Sequence, residues 1–327
     1  MINKNLKISA PIYLPEDAHI AANSSIDTFY IGEPYCAHRF NNLWSDFKIS
    51  ESVKILRNAG KEIFLYTVAD VTTDEAIKVN KEILSKASSL QVDGVVINDW
   101  STLSLAQKEK NKLLLLIGNT MPVYNELDVK FFIASGINRI HLSEDISKDE
   151  MINLCSNISV PIEITIHGPI CLSLSWKCLL QYLSNEQRKC PSMCCELDNN
   201  FSLTSIDKKE IFFNVNAKTL FSYKEICLIN QLPDILSYVQ PSSLFIESRG
   251  RGISYAMAIS KIYKDALTTL QFSEANFPLK LKDWMKNLSF ITPRNKLCNG
   301  YFYGKTGRKF SNPIISNEVL SPILNTI

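Results

Sequence analysis

Seven times in the first 170 or so residues, a short run of β-branched and aliphatic residues gives way to a longer amphipathic or polar stretch. The runs are Ile8–Leu14, Asp27–Ile31, Ile63–Val68, Gly94–Ile97, Leu113–Ile117, Arg139–Leu142 and Glu163–Ile166. They are too short for helices and too uniformly apolar for strands with one wet face, so they read as parallel strands buried on both sides. Between them, Asp74 to Leu90 carries Ala76, Ile77, Val79, Ile83, Leu84 and Ala87 near a 3.6-residue period. Val123–Ala134, followed by Gly136 in a C-cap place, and Lys148–Cys155 are shorter helical stretches. This alternation predicts an α/β fold, a (β/α) barrel-like (TIM-barrel-like) parallel fold. Two later runs, Ile211–Val215 and Leu244–Glu247, bring the strand count close to that of a barrel.

A cysteine-rich insertion interrupts the alternation, and a helix is expected over Tyr255–Leu267. The tail from Thr268 onward, with four of the thirteen prolines, reads as irregular. The expected organisation is a barrel-like domain over 1–267, including the cysteine-rich segment 167–227, and a C-terminal extension over 268–327 packed on it. In such barrels chemistry gathers where strands end. Glu33 and Cys36, Asp70, Asn98 and Asp99, Ser143 and Glu144, and His167 with Gly168 all stand at such ends.

Composition narrows the function. Thirty-five basic and thirty-three acidic residues leave a net charge of +2, without the footprint of a nucleic-acid binder. No window approaches the roughly 18–20 apolar residues of a membrane-spanning helix, and no export signal is expected, since Met1–Lys7 leads straight into a strand-like run without an apolar core of signal-peptide length. A cytoplasmic, reducing compartment is expected. Six of the nine cysteines fall between Cys171 and Cys227, three of them in Cys190-Pro-Ser-Met-Cys194-Cys195. In a reducing compartment such density points to a metal or cluster more than to disulfides. The spacing is no standard ferredoxin pattern, and zinc competes with iron–sulfur on spacing alone. Cys155 and Cys298 fit the role of small core hydrophobes.

Other candidates carry open alternatives. His167 suits a catalytic acid/base or a turn-shaping histidine. His141, inside a strand, suits a satisfied core residue, and His38 an exposed one. Glu33 and Arg39 suit anion positioning or a structural salt bridge, and Arg249 and Arg251 suit a carboxylate clamp or a solvated turn. No Ser-His-Asp order and no His-Glu-x-x-His is present.

Several segments together resemble the collagenase-like peptidase family of unknown catalytic type. They are Glu163-Ile-Thr-Ile-His167-Gly168-Pro-Ile-Cys171, Ser175-Trp-Lys-Cys178, Cys190-Pro-Ser-Met-Cys194 and Phe245-Ile-Glu-Ser-Arg249. Within it, Tyr30-Ile-Gly-Glu33-Pro-Tyr-Cys36-Ala-His-Arg39 and Cys298-Asn-Gly-Tyr301 are similar to segments of the UbiV type. That resemblance implies one [4Fe-4S] cluster and oxygen-independent hydroxylation of a ubiquinone precursor, with prephenate as oxygen source. It implies a UbiU-like protein as heterodimeric partner, and a lipid-binding accessory protein would deliver the precursor. The implied ligands are Cys36, Cys178, Cys190 and Cys194. Cys171 and Cys227 resemble ligands of the UbiU type and, with Cys195, are alternates. Hydroxylation of a base in tRNA or rRNA, as by other members, is the second expectation. A zinc-stabilised binding module without catalysis is the third.

Overall fold

Short aliphatic runs become strands wherever neighbours can bury both of their faces. The computed structural model describes residues 5–69, 71–108, 113–156, 158–178, 180, 201–204, 211–216, 218–292 and 296–305. The first seven runs form β1 (Lys7–Ile12), β2 (Thr28–Ile31), β3 (Glu62–Tyr66), β4 (Gly94–Ile97), β5 (Leu114–Ile117), β6 (Arg139–His141) and β7 (Ile162–Leu174). They are followed by β8 (Phe201–Thr204), β9 (Ile211–Asn216), β10 (Thr219–Cys227), β11 (Ser243–Ile246) and β12 (Leu297–Cys298). β1 to β7 pair in parallel in chain order. β11 closes the ring by pairing in parallel with β1 (Leu244 beside Ile8) and with β7 (Leu244 beside Ile164). The result is a closed, eight-stranded parallel barrel.

The period of two then sorts side chains. Ile8, Ile12, Ile31, Ile63, Leu65 and Ile164 face outward into the layer shared with the helices. Tyr30, Phe64, Val96, Leu116 and Phe245 fill the interior. Around the barrel lie α1 (Ala18–Ala22), α2 (Ala37–Leu43), α3 (Asp46–Asn58), α4 (Asp74–Ala87), α5 (Trp100–Ala106), α6 (Glu126–Ala134) and α7 (Lys148–Cys155). Short irregular helical turns cover 229–239, and α8 (Ile253–Phe272) and α9 (Phe277–Ile291) complete the ring. Side-chain caps start several of them: Ser45 accepts from Lys48 N, and Thr73 accepts from Ala76 N. Among the described residues no helix is long and apolar enough to cross a membrane.

Three sequence expectations are corrected. Ile211–Val215 is a strand, β9, but outside the barrel: it joins β8 and β10 in an antiparallel ribbon on the extension of β7. The eighth barrel strand is β11 alone. β7 does not stop at Ile166 but runs on to Leu174, because β10 supplies a new antiparallel partner beyond the barrel rim. The tail from Thr268 is not wholly irregular. α8 continues to Phe272 and α9 follows, burying Phe277, Trp284 and Leu288 at helical spacing. Pro278 sits in the first turn of α9, where its missing N–H is no loss. The domain boundary expected at 267 therefore falls inside a helix.

β7 passes the rim at Gly168, with φ +117. A Cβ there would stand 2.1 Å from the Glu247 carbonyl oxygen. Gly168→Ala is expected to cost about 3 kcal/mol or more, from backbone strain plus the clash. Gly60, at φ +73 with nothing within 4 Å of its added Cβ, is the control and should lose only about 1 kcal/mol. Urea unfolding of both variants checks this, and equal losses would contradict the close approach.

Candidate functional site at the barrel mouth

The C-terminal ends of β1, β2 and β11 meet β7 where it crosses one rim. The chain leaving β2 turns at Gly32 (φ +123) into Glu33, a buried carboxylate. Glu33 Oε1 accepts from Tyr35 N at 2.9 Å, while Oε2 accepts from Arg39 Nε at 2.8 Å and from Arg249 Nη1 at 2.7 Å. All three side chains are fully buried. Arg249 lies over the rings of Tyr13 (4.5 Å) and Tyr35 (5.2 Å). The trio of one carboxylate and two guanidiniums carries a net positive charge, which the neighbouring Glu247 carboxyl offsets in part when ionised.

Beside it stands Glu247, also buried. The Tyr13 hydroxyl donates to it at 2.8 Å and Arg249 N donates at 2.8 Å. Burial pushes its pKa up, the neighbouring Glu144 adds to this, and Tyr13 and Arg249 oppose it; the result is about 7. Glu144 is raised as well, chiefly by burial, although it accepts from Thr165 Oγ1 and Cys171 N, each at 2.9 Å. Glu247, with its pKa about 7, can hold and release a proton near neutrality at this mouth.

Thr165 links the mouth to the barrel interior. Its hydroxyl lies 2.9 Å from His141 Nε2, and His141 Nδ1 is 3.0 Å from Glu163 Oε1. Glu163 Oε2 accepts from Ser9 Oγ (2.6 Å) and from the Tyr30 hydroxyl (2.7 Å). Burial works against the Glu163 carboxylate, but His141 and Arg139 outweigh it and hold the pKa at about 2. His141 is thus a satisfied core histidine, as its place in a strand suggested.

Cys36 is buried at the N-cap of α2. The ring of its neighbour Tyr35 meets Phe221 edge-on at 6.0 Å, and Phe221 pairs with Cys171 across β10 and β7. The β2–α2 loop therefore reaches the ribbon that leads to Cys178. Cys171 feels Glu144 and Glu247, and burial pushes its thiol pKa well above the usual range. Cys227 is placed apart. Its register partner is His167, four residues before Cys171 on β7, roughly 13 Å along a strand. It is buried, with the Tyr263 hydroxyl 3.9 Å from its sulfur. The structure does not bring Cys227 and Cys171 together.

Cys190, Cys194, Cys195 and Asp70 lie outside the described residues. Among the described residues no three His, Cys, Asp or Glu side chains converge as metal ligands.

His167 does not join the mouth. A bulge between Phe245 and Ile246 shifts the register, and the imidazole turns toward α8. It lies between the rings of Tyr255 and Tyr263, about 6 Å from each, with Thr292 Oγ1 at 3.4 Å. Nδ1 has no partner among the described residues, and burial lowers its pKa to about 3. Arg251 points away too, to Glu225 at 2.8 Å. Sequence reasoning did not single out Tyr13, Tyr35 or Glu247; strand-end position was the available signal for Glu247.

A closed parallel barrel with a cluster of buried carboxyls and guanidiniums at its C-terminal mouth makes this a (β/α)8-barrel protein with its site at the strand ends. The profile of Peptidase family U32 matches residues 15–312, and the chain belongs to that family. Among its relatives is an uncharacterized protease of Methanocaldococcus jannaschii, 25% identical over 283 residues, covering 82% of this chain and 67% of that protein. Another is tRNA hydroxylation protein P2 of Bacillus subtilis, 23% identical over 285 residues, covering 85% of this chain and 91% of that protein. A solved U32 peptidase structure aligns with TM-score 0.44 and 11% identity over 76% of this chain and 96% of that one.

Proposed function

We propose that the chain is the iron–sulfur subunit of an oxygen-independent hydroxylation system whose substrate is a ubiquinone precursor. The observation that carries a hydroxylation role is the similarity to a tRNA hydroxylation protein along 91% of that protein's length. Cys36, Cys178, Cys190 and Cys194 would hold a [4Fe-4S] cluster. Thiol donors fit such a group, and Cys36, at the α2 N-cap, follows Tyr35, whose ring meets Phe221 of the β7–β10 ribbon that leads to Cys178. When bound, the cluster would supply one-electron chemistry at the mouth.

The chain's own residues would do the rest. Arg249 and Arg39, with a net positive balance against Glu33, would orient a carboxylate such as those of prephenate. Glu247, with its pKa about 7, would hold or release a proton beside it. A UbiU-like partner would complete the site, and a lipid-binding accessory protein would present the quinone precursor. Peptide hydrolysis gains no support, since His167 faces α8 rather than the mouth.

The second reading, hydroxylation of a tRNA base, draws on the name of the Bacillus relative. A deletion strain grown without oxygen separates the two. Loss of ubiquinone with intact tRNA modification supports the first reading. The converse supports the second and overturns the first. A Cys178→Ala variant, expected to lose most of its iron, links either phenotype to the cluster; full iron retention would remove Cys178 from the ligand set.

A further inference from the structure

On the outer side of β2 and β3, between α3 and α4, lies a cavity of about 310 Å³. Well-packed interiors hold few voids larger than a water, and a dry cavity of roughly 150 Å³ already admits benzene. The walls are Ile31, Phe40, Ile49, Leu65 and Ile83, all buried. Gly32 and Tyr66 close the inner end. Gly32 is bonded to Glu33, and Tyr66 stacks at 6.4 Å on Tyr13, which holds Glu247. The cavity therefore backs onto the mouth.

Its outer end carries Asp46, Glu82 and Lys86, and these charges answer one another. Lys86 Nζ is 2.7 Å from Asp46 and 3.9 Å from Glu82. Lys78 lies 4.0 Å from Glu82 as well, so two carboxylates meet two ammoniums and the opening holds no surplus cation for an acidic headgroup. An apolar bore with a self-neutralised rim selects an uncharged, chain-like ligand.

We infer that the cavity between α3 and α4 binds the apolar chain of an uncharged molecule, prenyl or alkyl, of roughly ten to twelve carbons. The inference does not rest on the hydroxylase reading, because binding is read without turnover.

Fluorescence of 1-aminoanthracene bound to the full chain, displaced by geraniol, decanol or decanoate, tests it. Saturable binding and displacement by either alcohol support the inference, and their ranking tells prenyl from alkyl. Ile49→Trp and Ile83→Trp, which fill the bore, are expected to weaken binding at least tenfold while thermal unfolding remains cooperative. The inference is overturned by absent saturable binding, by unchanged binding in a folded filled variant, or by decanoate displacing as well as decanol. If neither filled variant folds, crystals of the natural chain grown with geraniol decide: ligand density between α3 and α4 supports it, and an empty cavity overturns it.

Discussion

Replacing Glu33 with glutamine is expected to destabilise the chain by about 3–5 kcal/mol, the largest loss from a single polar change at the mouth. Glutamine matches the shape and can still accept from Tyr35 N. It carries no charge, however, and Arg39 and Arg249 would then face each other in a fully buried site. The expense is that of stranding buried guanidiniums rather than the net worth of one ion pair. A surface pair gives the contrast: Lys48 with Glu16, at 3.3 Å and well exposed, should change stability by less than about 1 kcal/mol when Lys48 becomes alanine. Urea unfolding of both variants at pH 7 measures the difference. A Glu33→Gln loss no larger than that of Lys48→Ala would mean that the arginines do not depend on Glu33.

Removing the buried imidazole should reshape the acid limb of stability by a similar amount. The unfolded chain protonates His167 near 6.5, and burial keeps it neutral in the folded state down to about 3. Its folded pKa is depressed, so the unfolded state binds the extra proton in that window and stability falls as pH drops from 6.5 toward 3. The full effect is about 5 kcal/mol, at about 1.4 kcal/mol per pH unit. Glu247 acts with the opposite sign. Its pKa is raised from 4.5 to about 7, so the folded state binds the extra proton and stability falls as pH rises through that range. Glu144, raised mainly by burial, adds to that direction. Glu163, held at about 2, contributes stability above 4.5 that is lost as pH falls through 4.5 toward 2.

In the natural chain the His167 and Glu247 slopes oppose each other between about pH 4.5 and 6.5. Below that, His167 and Glu163 act together and acid unfolding is steep. In His167→Leu the first of these is gone. Its urea midpoint, relative to the natural chain, should rise steadily from pH 6.5 to 4. Parallel midpoint curves would show that the imidazole is not buried neutral.

The barrel was readable because its signal is local. Seven aliphatic runs at regular spacing need no partner to be recognised, and Gly94–Ile97 and Lys148–Cys155 were delimited as the structure has them. What escaped depends on pairing. Ile211–Val215 and Leu244–Glu247 look alike as sequences, yet one lies in an antiparallel ribbon and the other closes the barrel. α9 was hidden by Pro278, which marks a break only when it falls beyond the first turn. At the site, strand-end position pointed to Glu33, Glu144 and Arg249. Their chemistry comes from closure, which brings Glu33 and Arg249 together across 216 residues. His167 shows the converse: it follows the Glu163–Ile166 run at the barrel rim, as the mouth residues follow theirs, but one bulge turns it into the helical layer.

Anaerobic purification followed by an absorbance spectrum and iron, sulfide and zinc analysis tests the cluster most directly. A brown protein with a broad visible band and about four irons and four sulfides per chain is the expected result. A colourless protein with stoichiometric zinc, or one with no metal even after cluster reconstitution, would contradict it and leave a structural or binding role.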